Sequence, residues 1–587
     1  KNLYISEINE PIGRDWRAVT TVESTSANEV VDFSIGYRDI AGNSGENITA
    51  TESGNQITID ITAPTLPEVS LSSNNPLDTS LAKATETATL TVRSEEPLHS
   101  LTLVKPDGST KPLDPVGSAG TQWTLSKTIE TGDNGPLEFR LQYTDLAGNS
   151  GEEVTTTTDD TSVTMDTVAP DLSGYALTVN GSSSFTAKPG DVLKLEISTT
   201  ESISTPTVQL AGQSIDVSGS ENSWSAQREL LASDTEGEIA VELILTDAAG
   251  NTLTLTHPQS ETGNLLASYP FSGNANDASG HNRNATVTGA TLSTDRHGRL
   301  QSAYHFDGSN DYVTVADDNS LSSTSSLTIS AWFKRASGSG WMSIVGKGTS
   351  DANEEYVLLV KDDQLYFDVG SVGGPKLLQS ATIAPETWHH IAAVHTRSGS
   401  ASTLKVYLNG EDVGGTTVSA SNTPNDNSHP LTIGSRFSTS VNLGFEGQID
   451  EVRIWGKALD ASQVRMRANT VRLDTSTPTL SDITLASSNV ATGWAKSGDS
   501  LTLSFTSSED IPAPSVTLAG ASVTASNASG NGTDWQAVHP VDDVTPNEAV
   551  AFSISFADPA GNAGEPKDES SVHNTITMDT SRPTVLA

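Results

Sequence analysis

One phrase recurs along this chain at a nearly fixed interval, and a single interval breaks the rule. A run of alternating apolar and polar residues ends in Asp-x-Ala-Gly-Asn; a polar stretch, a short strand and Asp-x-x-x-Pro follow. The leading aspartates Asp39, Asp145, Asp247 and Asp558 are separated by 106, 102 and 311 residues, and 311 is one period of 106 plus 205. The junction aspartates Asp60, Asp166, Asp474 and Asp579 agree, with gaps of 106, 308 and 105. Fixed-period self-similarity marks an array of repeated units. The third copy reaches Asp247–Asn251 and then lacks its closing strand. The missing phrase returns as Asn469-Thr470-Val471-Arg472-Leu473-Asp474, matching Asn574 to Asp579 in the intact last copy. Residues 264–468 therefore read as a domain inserted into a repeat.

The units are rich in Thr, Val, Ser and Ile, and stretches such as Ala551 to Phe556 alternate strictly. Several such strands within one period, separated by turn residues, predict antiparallel sandwiches. In each Ala-Gly-Asn the glycine permits positive φ and the asparagine tolerates it, so the motif reads as a tight loop. The predicted class is all-β. The expected boundaries are a partial unit at 1–61, a unit at 62–167, a split unit at 168–263 plus 469–475, the insert at 264–468, and a last unit from 476 with the start of a further linker. Trp16, Trp123, Trp224 and Trp535 hold equivalent places and are expected in the cores. The opening half-unit suggests a fragment of a longer chain.

Charge narrows the partners. Lys and Arg number 32 against 73 Asp and Glu, a net −41 spread along the chain. So acidic a surface argues against nucleic acid and anionic membrane, and makes divalent cations natural counter-ligands. There is no cysteine, hence no disulfide, zinc-thiolate site or thiol nucleophile. No apolar run is long enough to cross a bilayer as a helix.

With its Asp-x-Ala-Gly-Asn loop and Asp-x-x-x-Pro junction, the unit resembles the bacterial immunoglobulin-like repeats of large surface adhesins. In such a sandwich the entry linker, the loop after the second strand and the loop before the last strand share one pole. Each complete unit has carboxylates at all three. They are Asp60, Glu95 or Glu96, and Asp145; Asp166, Glu201 and Asp247; and Asp474, Glu509 or Asp510, and Asp558. Three converging carboxylates repel unless neutralised, and Ca2+ takes six to eight oxygens at about 2.3–2.6 Å. Calcium at these poles is expected to stiffen the array. The competing reading has each aspartate capping its own turn.

The insert carries Tyr269-Pro270-Phe271-Ser272-Gly273-Asn274, Phe306-Asp307-Gly308-Ser309-Asn310-Asp311-Tyr312-Val313, Leu327 to Phe333, Trp388-His389-His390-Ile391, Leu404 to Gly410, and Gly447 to Trp455. In this order these phrases resemble the laminin-G-like, concanavalin-A-like jelly roll. Asn409-Gly410 between alternating strands predicts a primed hairpin turn. Insertion requires the guest's termini to lie together, and the resemblance implies a jelly roll whose first and last strands are neighbours, so Leu265–Phe271 is expected beside Ile449–Trp455, with a brief helix over Ala458 to Arg467. The resemblance implies a structural calcium on the outer face, with Asn274, Asp277, Asp450 and Asp307 as candidate ligands. The alternative for Asp307 and Asp450 is turn and strand-end hydrogen bonding.

The jelly roll serves as lectin, protein-binding module and hydrolase, so fold does not decide function. The hydrolases need acidic residues at alternate positions on one strand, and no such strand is present: Glu354-Glu355 and Asp362-Asp363 are adjacent pairs. No catalytic residues are expected. Binding is the expected role, with Trp341, Tyr356, Tyr366, Asp368, Asn422, Asn425, Asp426 and Asn427 as candidate contacts to glycans or host and biofilm surface ligands. The whole resembles a segment of the calcium-dependent RTX-type adhesins: extracellular, at the bacterial surface, monomeric, with the jelly roll held off to one side of a stiff extender. The alternatives are a structural spacer and a secreted polysaccharide-degrading enzyme.

Overall fold

Strand alternation survives into three dimensions as alternating burial. Thr87–Arg93, Val192–Thr199 and Ser500–Ser507 each bury every second side chain, as expected of strands with one face on a core. The computed structural model describes Tyr4–Glu7 and residues 16–23, 28–258, 264–322, 326–338, 340–349, 354–370, 376–419, 428–437, 443–530, 532–543, 548–571 and 575–581. The chain separates into two units: Lys1–Ala169 with Thr246–Thr252, and Pro170–Leu245 with Leu253–Ala587.

In the first unit, Glu68–Ser73, Thr87–Arg93 and Gln122–Thr128 form one antiparallel sheet, and Thr110–Pro112, Leu98–Val104 and Leu141–Asp145 form a second. Val69, Leu90, Leu101, Trp123 and Leu141 fill the space between them. A small third sheet closes the sandwich: Thr164–Met165 runs parallel to Leu81–Ala82 and antiparallel to Gly135–Pro136. The preceding half-repeat contributes Trp16–Val19 and Glu29–Val30, paired with Tyr4–Glu7 and Thr58–Ile59. Trp16 departs from expectation. It is 63% exposed, whereas Trp123, Trp224 and Trp535 are buried. The half-repeat has no facing sheet among the described residues for this ring to pack on.

The second unit holds the split repeat, the jelly roll and the last repeat. The split repeat pairs Leu172–Val179, Val192–Thr199, Ser223–Glu229 and Val217–Ser220 in one sheet. Its closing strand comes from beyond the insert. Arg472–Leu473 runs parallel to Thr186–Ala187 and antiparallel to Gly237–Glu238, and Leu473 is fully buried in that repeat's core. An unexpected extra strand, Thr252–His257, follows the loop before the chain leaves for the insert.

The jelly roll is two packed sheets. One contains Thr291–Ser293, Ala303–Asp307, Glu446–Trp455, Ser326–Arg335, His389–Ser398, Ala401–Leu408 and Glu411–Ser419, with Leu265–Tyr269 also on Glu446–Trp455. The other contains Thr286–Thr288, Tyr312–Val315, Leu431–Ile433, Met342–Lys347, Tyr356–Lys361, Gln364–Val369 and Lys376–Ser380. Phe271, Phe306, Phe333, Phe367 and Phe445 are fully buried between them. The guest's first and last strands are neighbours, with Leu265 opposite Trp455, as the insertion demands. Asn409 and Gly410 take φ of 52° and 86°, the left-handed pair a primed turn requires. The helix spans Ala461–Ala468, capped by Asp460, whose side chain accepts from Gln463 N and whose own N–H donates to Gln463 Oε1.

The guest does not hang from its two connections; it is packed against both repeats. Phe185 of the split repeat meets Trp332 edge-on at 5.2 Å, and its carbonyl pairs with His297 Nδ1 at 2.9 Å. Helix residue Ser462 bonds Asp171, Arg465 donates to the Leu172 carbonyl, and Met466 enters the split repeat's core. On the other side, Leu300 N donates to Asp510 Oδ2 of the last repeat at 2.7 Å. The expectation of a head set off to one side is corrected accordingly.

Candidate functional site

The acidic pole of each repeat is built by its loop. In the first unit Asp145 Oδ1 accepts from Gly148 N and Asn149 N, and Oδ2 accepts from Asn149 Nδ2 at 2.7 Å. Asn149 Nδ2 also reaches the Asp60 carbonyl at 3.1 Å, fastening the entry linker to the loop. The motif's asparagine is therefore a hydrogen-bond bridge, rather than the positive-φ residue expected; the glycine alone takes positive φ, 95° at Gly148. Asn562 repeats the arrangement with Asp558 and the Asp474 carbonyl, and Asn251 does so with Asp247 and the Asp166 carbonyl.

This fastening gathers carboxylates. Oxygens of Asp60, Glu96 and Asp145 lie within 4.8 Å of one another, and so do those of Asp474, Glu509 and Asp558. Asp166 and Asp247 hold the equivalent places in the first unit, while Glu201, expected with them, belongs to the second. The ambiguous neighbours resolve. Glu95 instead accepts from Thr65 Oγ1 at 3.0 Å, and Asp510 accepts from Leu300.

The electrostatics are those of uncompensated charge. Burial, then Asp60 and Asp145, push Glu96 up; burial, then Asp474, Asp558 and Glu236, push Glu509 up to about 7. Burial also raises Asp474. Asp145 shows the opposite outcome, since the bonds from Asn149 and Gly148 outweigh its burial and leave it lowered. Among the described residues, none of these six carboxylates is ion-paired to a Lys, Arg or His. A donor set of three carboxylates flanked by linker carbonyls suits a hard divalent ion. Both poles could hold a metal ion.

The candidates on the jelly roll fare differently. Asp277 accepts from Ser268 N, Ser279 N, Ser279 Oγ and Arg283 N, so its lone pairs are spent on its own loop. Asn274 accepts from Asn276 N. Asp307 is exposed and caps a turn through Ser309 N and Asn310 N. Asp450 lies inside rather than on the outer face: it is fully buried, with Arg296 Nη1 at 3.4 Å and Glu451 beside it. Burial pushes Asp450 well above the carboxylate range, while Arg296 and Arg453 hold Glu451 well below it against its burial. In the structure Asp277 and Asp307 thus cap turns, and Asp450 is held in a buried ion pair with Arg296.

The ligand candidates divide by strand parity. Tyr356 faces inward, fully buried, its hydroxyl donating to the Leu321 carbonyl at 3.0 Å, and is withdrawn. Tyr366 and Asp368, two apart on Gln364–Val369, share the face turned away from the core, where Tyr366 is half-buried and Asp368 is buried. Tyr366 Oη donates to Asp368 Oδ2 at 2.9 Å, Lys376 Nζ reaches the same oxygen at 2.9 Å, and buried Oδ1 has no partner. Burial raises the Asp368 carboxyl against the pull of Lys376, and burial and Asp368 push the Tyr366 phenol up to about 12. Half-buried Trp341 packs edge-on to Tyr366 at 5.9 Å, with Lys361 Nζ 5.9 Å from its ring. Asn422, Asn425, Asp426 and Asn427 lie outside the described residues. Missed altogether were two buried ion pairs near this patch. Glu354 takes Arg436 at 2.8 and 2.9 Å, and Lys347 bridges Glu355 and Asp317 at 2.8 and 2.9 Å.

Residues 307–465 match the family model of the concanavalin A-like lectin/glucanases superfamily. No curated protein matches the chain. Among solved structures, domain 4 of AbnA, a GH43 extracellular arabinanase from Geobacillus stearothermophilus, in complex with arabinotriose, is 22% identical. The match covers 35% of this chain and 98% of that one, with TM-score 0.28. The Ruminococcus gnavus IT-sialidase CBM40 bound to α2,3 sialyllactose is 12% identical over 28% of this chain and 96% of that one, with TM-score 0.25. The SAP-like pentraxin of Limulus polyphemus is 17% identical over 28% and 80%, with TM-score 0.23.

Proposed function

We propose that this chain is an extracellular adhesive segment in which calcium-held repeats carry a glycan-binding jelly roll at a bacterial surface. The observation that carries the binding half is the outward trio Trp341, Tyr366 and Asp368. Two half-buried rings offer the faces on which sugars stack. Beside them the free Oδ1 of Asp368 is a buried acceptor that a sugar hydroxyl would satisfy, and an unmet buried acceptor costs about 1–3 kcal/mol. The nearby buried acids Glu354 and Glu355 are committed to Arg436 and Lys347, which favours binding over hydrolysis.

The acidic poles supply the calcium half. A cation shared by Asp474, Glu509 and Asp558 ties a linker to two loops of the following repeat, and the same holds at Asp60, Glu96 and Asp145. The test is a glycan array probed with the full chain and with Trp341→Ala. Binding by the parent that is lost in the variant supports the reading. A parent that binds no glycan overturns it in favour of a structural spacer.

A further inference from the structure

One lysine of the jelly roll stands apart from the other described lysines. Lys347 ends the strand Met342–Lys347 with its side chain fully buried, and its Nζ lies 2.9 Å from Asp317 Oδ1 and 2.8 Å from Glu355 Oε1. The Glu355 side chain is fully buried too, and that of Asp317 is 23% exposed. In every other lysine–carboxylate pair among the described residues, the lysine side chain is at least 36% exposed.

Strand pairing sets the place of the amine. Lys347 pairs with Leu431 on one side and Tyr356 on the other, and both are fully buried. Leu431 in turn pairs with Val315, two residues before Asp317. The carboxyl of Asp317 is presented from a pinned turn, which leads into the short 3-10 helix Asn319–Leu321. Tyr356 Oη donates to the Leu321 carbonyl at 3.0 Å. Arg283 pairs with Asp318 Oδ2 at 3.1 Å and donates to Ser320 Oγ at 2.7 Å.

An amine between two carboxyls in a dry site has a chemistry that an exposed ion pair lacks. Keeping such charges out of water is costly. Moving one proton from Nζ to Glu355 discharges both groups and frees the nitrogen lone pair, the form in which a desolvated lysine acts as a nucleophile. The neighbouring buried pair is a contrast within the same domain. Glu354 is held by Arg436 at 2.8 and 2.9 Å, and a guanidinium keeps its proton.

We propose that Lys347 and Asp317 condense into an intramolecular amide cross-link, with Glu355 as the proton carrier. Nζ attacks Asp317 Cγ; an N–C bond forms, one Cγ–O bond breaks, and that oxygen leaves as water. Of the ammonium protons, one stays on the amide nitrogen and the other two depart with the oxygen, passed on by Glu355, which ends ionised as it began. The step needs no oxidant, reductant or activated co-reactant. Positioning replaces activation, since well-oriented intramolecular reactions reach effective concentrations of about 10⁵–10⁸ M. The bond spans Leu431–Ile433 and clips together three adjacent strands of the second sheet. It does not depend on what the jelly roll binds.

The mass of the denatured full chain tests the cross-link. The parent is expected to be one water lighter than its sequence, and proteolysis is expected to yield a branched peptide joining Asp317 to Lys347 through an amide. Glu355→Gln, shown to be folded by circular dichroism, is expected to keep the full sequence mass, with Asp317 and Lys347 in separate peptides. The parent's mass and peptide map decide whether the bond exists, whatever the fold of the variant. A parent of full sequence mass, a water loss without the branched peptide, or a branched peptide formed as completely in Glu355→Gln would overturn the proposal.

Discussion

Leu473 lies beside Ala187 in parallel register, the relationship Met165 has with Ala82 and Met578 has with Ala495. Between Ala187 and Leu473 the chain leaves the repeat, builds a whole jelly roll and returns. The host's closing strand is thus delivered through the guest.

The first prediction follows from that strand. Leu473 is fully buried in the split repeat, and Leu473→Ala should cost about 2–5 kcal/mol. Chemical denaturation of the full chain should show the transition of the split repeat moving to lower denaturant. A loss no larger than about 0.5 kcal/mol, the size expected of a surface change, would mean that the returning strand does not close the repeat.

Phe185 couples host and guest. Phe185→Ala removes its edge-to-face contact with Trp332, where Arg296 also stacks at 4.5 Å. Aromatic pairs contribute about 0.5–1.5 kcal/mol beyond burial. Calorimetry is expected to show one joint transition of split repeat and jelly roll in the parent resolving into two in the variant. Unchanged transitions would show that the two chain connections alone couple the domains.

The two tyrosines first considered together should separate experimentally. Tyr356→Phe strands the buried Leu321 carbonyl and should lower stability by about 1–3 kcal/mol, leaving glycan binding intact. Trp341→Ala, on a half-buried ring, should abolish binding at little cost in stability. The reverse pattern would move the ligand surface to the other face of the strand.

This division also shows where the sequence was legible. The insertion, the all-β class and the Asn409-Gly410 turn followed from periodicity and turn chemistry, and the adjacency of Leu265 to Trp455 from chain closure together with the jelly-roll resemblance. Face was harder, because a shift of one residue inverts a strand. Tyr356 looked equivalent to Tyr366 until the pairing of Leu359 with Tyr366 fixed the parity. Choosing Glu96 over Glu95 depended on the bend between Thr87–Arg93 and Leu98–Val104, which periodicity does not describe. Asp450 was misjudged because its partner Arg296 lies in a distant loop.

The acidic poles carry a pH signature. Without cation, Glu509 is pushed from 4.5 up to about 7. Over that range the folded state holds a proton the unfolded chain has released. The cation-free protein should therefore lose stability as pH rises from about 4.5 to about 7. Calcium neutralises the cluster and displaces the proton, so the slope should vanish and binding should acidify a weakly buffered solution. Tm against pH, with chelator and with Ca2+, reads both effects. Parallel profiles would contradict the cation reading of this pole.

The claim that the poles are cation sites is met most directly by titrating the chelator-stripped full chain with Ca2+ in a calorimeter, beside Glu509→Gln and Asp558→Asn. Calcium sites of extracellular modules bind at about 10⁻⁴–10⁻³ M, and that range is expected here. The account predicts saturable binding in the parent and one site fewer in each variant. Absence of binding at millimolar calcium, or the same stoichiometry in all three proteins, would contradict it.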